Sequence, residues 1–270
     1  MTPAELKTAL RAGRNLFGTL IVSPSPFWPK VIGDCGLDFV FIDTEHIALD
    51  RQTLSWMCRT YAALGLPPLV RIPNHDPNTA TVVLDDGAAG VIVPYVETAE
   101  VARKMSGATK LRPLKGGRLE QALGGLPLEP GLSDYVSRNS GDNLLIVNIE
   151  SVPAMQALEE ILAVPGLDAV LIGPHDLSTS LGIPEQYDDP RFLKACEQIL
   201  GQARRAGIGA GIHHWLSPEQ QARFVRMGAN LLIHQADIIF FRSGLRQELA
   251  EIRRHLGDSG PDRASGPVNG

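Results

Sequence analysis

The chain has 270 residues, of which 44% are hydrophobic and 20% are charged, and its formal net charge at pH 7 is −5. This composition is typical of a folded globular protein, and the length is sufficient for one large domain with a sizeable core. The acidic balance argues against a nucleic-acid-binding surface, and no apolar run is long enough to span a membrane.

The N-terminal residues MTPAELKTALRAG are amphipathic and charged, which argues against a signal peptide. Cys35, Cys58 and Cys196 form no CxxC pair and fall in predicted helices. We therefore expect reduced, buried thiols and a cytoplasmic location. Residues 257–270 (GDSGPDRASGPVNG) contain no apolar anchor, so we expect a disordered tail there.

Strand-like and helix-like segments alternate along the chain. The predicted strands are Leu16–Val22, Asp38–Ile42, Pro68–Ile72, Gly90–Pro94, Leu144–Ile149, Ala169–Ile172, Ile208–Ile212 and Asn230–His234. Helical patterns fall near residues 3–12, 27–35, 50–64, 77–87, 97–106, 153–164, 190–206, 217–227 and 238–256. Eight strands alternating with helices favour a (β/α)8 TIM barrel formed by residues 1–256 as a single domain.

The main alternative fold is an open, doubly wound sheet. Its Gly-rich phosphate-binding fingerprint is absent, because the first strand is followed by prolines in LIVSPSPFWP. The connection 96–143 is too long for a simple loop and has turn-rich pieces, so we expect a functional lid or an interface arm there.

Two apolar runs in the second half of the chain each lead to a carboxylate. Leu144–Ile149 precedes Glu150, a helical pattern follows, and Ala169–Ile172 precedes Asp176. The two strands of such a β-α-β unit are parallel, so both carboxylates lie at the same edge of the sheet. Either residue alone is as readily a helix cap or a salt-bridge partner. Together they predict a site for a hard divalent cation, with water and substrate completing its oxygen ligands.

The carboxyl ends of the predicted strands are rich in polar residues. They are Asp43, Glu45, His46, Arg71, Asn148, Glu150, His175, Asp176, His213, His214, Trp215, His234, Gln235 and Asp237. Five of the seven histidines are in this set. Catalytic groups of a TIM barrel lie at this end, so the asymmetry predicts an active-site face.

The chemistry of these residues narrows the reaction class. Arg71 suits binding of a carboxylate or an oxyanion, and its structural alternative is a salt bridge to Asp43 or Asp85. His46 suits acid–base work near neutral pH, although a lone histidine is as often structural. No lysine falls at a strand end, so an imine mechanism is disfavoured, with Lys110 and Lys115 in the long connection left open.

The motifs NIES and GPHDLSTSLG resemble paired signatures of the HpcH/HpaI aldolase family, the metal-dependent (class II) pyruvate aldolases. LDFVFIDTEH is similar to the strand-two motif of that family, and PPLVRIP with VVLDDGAAGVIVPYVE is similar to its strand-three and strand-four region. The resemblance runs in collinear order over roughly residues 14–250.

The resemblance implies a role for each matching position. Glu150 and Asp176 match the two metal-ligand carboxylates, His46 the catalytic base and Arg71 the arginine that stabilises the enolate. Asp85 matches an aspartate that raises the basicity of the histidine and reaches the site from a neighbouring subunit.

The substrate-binding positions implied by the resemblance are Arg71, Asn148, Gly173, Pro174, His175 and Asp176. Asn148 stands where many members have glutamine, and His175 where many have alanine. The Gly and Arg of the family's loop before strand five are matched loosely by Gly116 and Arg118 in PLKGGR. The roles of His175, His213, His214 and His234 are not given by the resemblance.

The resemblance implies a lyase that reversibly cleaves a 4-hydroxy-2-oxo acid to pyruvate, or a similar 2-oxo acid, and an aldehyde. The cofactor implied is Mg²⁺ or Mn²⁺, with Co²⁺ also compatible. It also implies a homohexamer built from dimers that exchange C-terminal helices. Two alternatives stay open: a 2-oxo-diacid decarboxylase or acyl-CoA lyase on the same site, and a non-catalytic 2-oxo-acid-binding barrel. The aldehyde partner is not specified by the sequence.

Overall fold

The computed structural model describes residues 1–215 and 217–258, and it confirms the (β/α)8 barrel. Eight parallel strands close in sequence order, with β8 pairing to β1. The strands are β1 (Leu16–Leu20), β2 (Phe39–Asp43), β3 (Pro68–Arg71), β4 (Gly90–Val93), β5 (Leu144–Asn148), β6 (Ala169–Ile172), β7 (Gly209–His214) and β8 (Leu231–Ala236). Of the predicted tail, residues 259–270 lie outside the described residues.

Helices surround the barrel and follow the strands. They are α1 (Pro3–Arg11), α2 (Trp28–Gly33), α3 (Arg51–Ala63), α4 (Pro77–Asp85), α5 (Ala99–Lys110), α6 (Gly116–Leu123), α7 (Pro130–Ser140), α8 (Val152–Gln156), α9 (Leu158–Leu162), α10 (Pro174–Ser180), α11 (Pro190–Arg205), α12 (Pro218–Arg226) and α13 (Asp237–Leu256). No helix in the described part of the chain is long and apolar enough to cross a membrane.

Two apolar layers account for the near-continuous hydrophobic strands. One layer fills the barrel and includes Phe39, Phe41 and Ile146, which are all fully buried. The other packs between strands and helices and includes Val40 and Ile42, the alternate residues of the same strand β2. Because successive side chains of a strand point to opposite faces, a strand with both faces covered reads as an unbroken apolar run.

The long connection contains two helices that the sequence did not predict. After α5, which extends to Lys110 rather than ending near residue 106, the chain forms α6 and α7. No residue of α6 is buried, and its first residues, Gly116 and Gly117, are typical of a turn in the sequence, which explains why this helix was not predicted. The short helix α10 was likewise not predicted, and the helix predicted over 153–164 is two short helices that meet at Ala157.

One cysteine differs from expectation. Cys58 and Cys196 are buried, but Cys35 is exposed, because it lies in the turn that follows α2 and not inside that helix. Burial raises the pKa of the Cys58 thiol to about 12. All three are free thiols.

The amino ends of the strands form a closed, structural end of the barrel. Asp168, which has no exposed side-chain surface, accepts a hydrogen bond from Leu145 N at 2.9 Å and forms ion pairs with Lys110 and with Arg11 of α1. The Lys110 amine also donates to Asn143 O. This cluster ties α1 and α5 to the sheet, and it places Lys110 at the end opposite to the strand carboxyl ends.

Candidate active site

A cleft of about 970 Å³ lies at the carboxyl ends of the strands. Among the residues that line it are Asp43, His46, Arg71, Gly173, Pro174, His175, Asp176, His213, Trp215 and Gln235. These residues lie at or just after the carboxyl ends of strands β2, β3, β6, β7 and β8, which are separated in the sequence. The fold therefore brings together most of the polar strand ends that the sequence singled out.

Glu150 is a buried carboxylate two residues beyond the end of β5. Its residue surface is 2% exposed. The Tyr95 backbone N–H donates to Oε1 at 2.7 Å, and Asn148 Nδ2 donates to Oε2 at 3.0 Å. Burial raises the pKa of Glu150 to about 7, and although the Tyr95 hydrogen bond opposes this rise, the negative charge of Asp176 adds to it. The carboxylates of Glu150 and Asp176 therefore repel each other, and Glu150 is the more buried of the two.

Asp176 is brought to this point by the turn from β6 into α10. Gly173 is the N-cap residue of α10, and Asp176 lies in its first turn. A methyl carbon added at Gly173 would lie 1.9 Å from Glu150 Oε2. The backbone at Gly173 has φ −91°, which any residue adopts, so a side chain is excluded here by the carboxylate and not by conformation.

These two carboxylates are the residues that fit a divalent cation. The described ranges, 1–215 and 217–258, hold no group of three or more His, Cys, Asp and Glu side chains arranged around one metal position. A cation here would thus have two protein carboxylates, and water and substrate would supply its other oxygen ligands. Burial, and then the negative charge of Asp176, raise the pKa of Glu150, and a positive charge bound between the two carboxylates would relieve both effects.

Arg71 is held in place by an ion pair with Asp43. Of the two salt-bridge partners that the sequence offered, Asp43 is therefore confirmed, and Asp85 instead pairs with Arg112. Arg71 Nε donates to Asp43 Oδ1 at 2.9 Å and a terminal nitrogen donates to Oδ2 at 2.6 Å. Glu45 Oε2 lies 3.1 Å from the same Nε. Burial alone would raise the pKa of Asp43, but the Arg71 hydrogen bonds and charge outweigh it and the pKa is lowered. The sequence offered this pair as the structural alternative to a catalytic role for Arg71, and the structure shows the ion pair at the border of the cleft.

His46 borders the cleft in a solvent-exposed loop. Its Nε2 is 3.6 Å from Glu45 Oε2, and its side chain is 54% exposed. Since Glu45 also neighbours Arg71, His46 and Arg71 share one carboxylate between them. The exposed ring of His46 therefore lies within reach of water and of a ligand bound in the cleft.

Of the other predicted site residues, Asn148 and His175 lie at the candidate site and Asp85 does not. Asn148 is buried, donates to Glu150, and has an Oδ1 with no hydrogen-bond partner among the described residues. The His175 side chain is exposed at the cleft and lies 3.8 Å from Glu185. Asp85 does not border the cleft of its own chain in the described residues, because it ends α4 and pairs with Arg112.

The sequence and the fold of this chain match known proteins over most of its length. The profile of the HpcH/HpaI aldolase/citrate lyase family matches residues 23–237. The hydroxypyruvate/pyruvate aldolase of Roseovarius nubinhibens is 32% identical over 249 residues, which are 92% of this chain and 96% of that protein. The 2-keto-3-deoxy-L-rhamnonate aldolase of Shigella boydii serotype 4 is 29% identical over 255 residues, or 94% of both chains.

The same relationship is found among solved structures. The crystal structure of an HpcH/HpaI aldolase from Desulfitobacterium hafniense DCB-2 superposes with a TM-score of 0.80 at 27% identity, covering 96% of this chain and 99% of that one. With the family profile matching well over half of its length, this chain belongs to the HpcH/HpaI aldolase/citrate lyase family.

Proposed function

We propose that this protein is a metal-dependent aldolase that reversibly cleaves a 4-hydroxy-2-oxo acid to pyruvate, or a similar 2-oxo acid, and an aldehyde. The observation that carries this proposal is the pair of the buried Glu150 and the half-buried Asp176, whose charges interact with each other, with Arg71 also acting on Glu150, at the carboxyl face of the barrel. Family membership and the aldolase names of the relatives support the same reaction.

Glu150 and Asp176 would hold the metal ion. A divalent cation bound there would supply positive charge to the carboxylate and keto oxygens of the 2-oxo acid. Mg²⁺, Mn²⁺ and Co²⁺ all accept such oxygen ligands. Asn148, Gly173, Pro174 and His175 would contact the substrate around this centre, with Asn148 also orienting Glu150 through its hydrogen bond.

Arg71 would stabilise the negative oxygen that develops when the carbon–carbon bond breaks. Its guanidinium is fixed by Asp43, so its remaining donors need no reorganisation during the reaction. His46, through a water molecule, would take the proton from the C4 hydroxyl in cleavage and return it in the reverse direction.

We further propose a homo-oligomer, a hexamer or trimer of dimers, in which Asp85 of one subunit lies near His46 of another. Within its own chain Asp85 is 53% exposed and distant from the cleft lining, so only a neighbouring subunit would bring it to a site. The exposed apolar face of α13 supports an exchange of C-terminal helices between subunits. A cytoplasmic location rests on the unpaired cysteines.

The alternative acyl-CoA lyase requires a basic patch near the cleft mouth. The basic residues that could form such a patch are Lys104, Lys110, Lys115 and Arg118. Lys104 pairs with Glu100, Lys110 with Asp168 and Arg118 with Glu129, and none of the four lines the cleft. The structure therefore favours the aldolase over a reaction that needs a nucleotide phosphate site.

The test is pyruvate release from a panel of 4-hydroxy-2-oxo acids, with and without EDTA and added Mn²⁺. We expect release that EDTA abolishes and Mn²⁺ restores, and no release by the Glu150→Gln, Asp176→Asn double variant. Metal-dependent release by that double variant would refute the assignment of the metal site. Decarboxylation of 2-oxo diacids without any aldol cleavage would favour the decarboxylase alternative.

A further inference from the structure

The peptide group that joins Pro94 to Tyr95 carries a hydrogen bond at each of its polar atoms. Its carbonyl oxygen lies 2.6 Å from Nε2 of His75. Its N–H donates to Glu150 Oε1 at 2.7 Å. This one peptide group therefore connects a histidine in the loop after β3 to a carboxylate in the segment after β5.

The direction of the His75 hydrogen bond follows from its acceptor. A carbonyl oxygen has no hydrogen to donate, so the imidazole donates from Nε2. Both hydrogen bonds thus run in the same direction, from His75 to the Pro94 carbonyl and from the Tyr95 N–H to Glu150. Hydrogen bonds in such a chain polarise one another, so the donor at the carbonyl strengthens the bond made by the N–H.

The backbone of Tyr95 has an unfavourable conformation at this peptide group. Its φ is +48°, in the left-handed region that large side chains seldom adopt. Such a conformation persists where the surrounding structure enforces it. Because Tyr95 is 45% exposed, burial of its ring does not supply this constraint. The hydrogen bonds at the two ends of the peptide group do supply it.

Two further hydrogen bonds hold the same turn against the end of β5. The Val96 N–H donates to the Asn148 carbonyl at 3.2 Å, and Ser151 Oγ donates to Glu97 Oε1 at 2.6 Å. Together with the Tyr95 N–H, three consecutive residues of the turn contact this part of the chain. The turn after β4 therefore determines where the carboxylate after β5 lies.

His75 belongs to a loop that is itself well tied. It directly precedes Asp76, the N-cap residue of α4, which accepts from Asn78 N at 3.0 Å. The Asp76 N–H donates in turn to Asn74 Oδ1 at 3.0 Å. The side chain of His75 is exposed, so its contribution to the structure is the hydrogen bond to Pro94 and not packing.

We propose that His75 is a positioning residue for the metal ligand Glu150 and acts through the Pro94–Tyr95 peptide group. With the Tyr95 N–H held on Oε1 and the Asn148 amide on Oε2, the carboxylate keeps one orientation and retains lone pairs for a cation. This inference rests on the metal site of the proposed function and adds to it a residue that contacts neither metal nor substrate.

The test is the Mn²⁺ affinity of the whole chain in a calorimetric titration, which needs no substrate. His75→Leu should weaken binding about threefold to tenfold, below the range of about tenfold to hundredfold for direct partners of a metal ligand. His75→Gln, whose amide nitrogen replaces Nε2 as the donor, should recover most of the affinity. Asn74→Ala is the matched control, because it removes a hydrogen bond of the same loop and leaves the Pro94 carbonyl untouched.

A second pair of variants tests the peptide group itself. Tyr95→Asn and Tyr95→Val both remove the phenol and keep the N–H, but asparagine tolerates φ +48° and a β-branched residue does not. We expect Tyr95→Val to bind Mn²⁺ about threefold to tenfold more weakly than Tyr95→Asn. His75→Leu should then have little further effect in the Tyr95→Val background, because both changes act on one peptide group.

Failure of this inference differs from failure of the proposed function. Wild-type protein that binds Mn²⁺, together with unchanged affinity in His75→Leu, overturns the inference alone. Equal losses in His75→Leu, His75→Gln and Asn74→Ala do the same, since they show a general effect of the loop, and so do additive losses in the double variant. If His75→Leu does not fold, equal affinities of the two Tyr95 variants overturn the inference. A wild-type protein that binds no Mn²⁺ overturns the metal site and this inference with it.

Discussion

The salt-bridge partner of Arg71 could be predicted from the sequence only in part. The sequence offered Asp43 and Asp85 as salt-bridge partners, and the structure selects Asp43 through two hydrogen bonds. The choice depends on strand register, since Asp43 and Arg71 are directly paired residues of β2 and β3. Register is a property of the closed sheet, so local sequence patterns do not determine it.

Replacing Asp43 by Asn should slow catalysis without removing the Arg71 side chain. The neutral amide accepts from only one of its atoms, so the guanidinium loses its two-point anchor. We expect kcat for aldol cleavage to fall about tenfold to a hundredfold, less than for loss of an oxyanion donor itself. Glu45→Gln is the comparison, because Glu45 is less buried than Asp43, and its effect should be smaller. Unchanged kcat in Asp43→Asn would mean that Arg71 does not depend on this pair.

Gly173 offers a second prediction at the residue scale. Alanine there places a methyl carbon on Glu150 Oε2, so the carboxylate must move. We expect Gly173→Ala to weaken Mn²⁺ binding at least about tenfold in a calorimetric titration, with little change in Tm. Gly117→Ala, at a helical position with no atom within 4 Å of the added carbon, should bind Mn²⁺ like the wild-type protein. Equal Mn²⁺ affinity in both variants would contradict a metal site at Glu150.

At the scale of elements, the strands were predictable and the surface helices were not. All eight strands were found because burial on both faces gives an apolar run. The bulge in β8, by contrast, has no signal in the motif HQAD. Helices α6 and α7 were not predicted because they begin with Gly116-Gly117 and Pro130-Gly131, which are typical of turns.

The cluster around Asp168 makes a prediction about stability. The Asp168 side chain has no exposed surface and that of Lys110 is 12% exposed, so removing the Asp168 charge leaves a largely buried amine without its carboxylate. We expect Asp168→Asn to lower the free energy of unfolding in urea by about 3–5 kcal/mol. Glu100→Gln breaks an exposed pair on α5 and should cost about 0.5 kcal/mol or less. A loss in Asp168→Asn as small as that of the control would show that the cluster contributes little to stability.

At the scale of the whole molecule, the sequence predicted the barrel and the face that bears the site. It could not give the subunit arrangement, because an apolar helix face does not say which surface covers it. Helix α13 exposes apolar side chains along its length, namely Ile238, Phe240, Phe241, Leu245, Leu249, Ile252 and Leu256. An exposed apolar stripe of this size marks a contact surface, here assigned to a second copy of the chain.

This assignment predicts the state of assembly. The wild-type protein should have the mass of an oligomer in size-exclusion chromatography with light scattering. Phe241→Glu with Leu245→Glu introduces two charges four residues apart on the stripe, and it should yield a smaller species. Gln247→Glu adds a charge at an exposed polar position of the same helix and should leave the mass unchanged. A monomeric wild-type protein would contradict both the exchanged helix and the role of Asp85.

In the proposed function, Glu150 and Asp176 would hold a metal ion that, with Arg71, makes the methyl protons of pyruvate acidic. The most direct measurement is the exchange of those protons with heavy water, followed by NMR with added Mg²⁺ and with EDTA. We expect exchange that EDTA abolishes, that Mg²⁺ restores, and that the Glu150→Gln, Asp176→Asn variant lacks. Exchange that persists in EDTA, or in that variant with Mg²⁺ present, would contradict it.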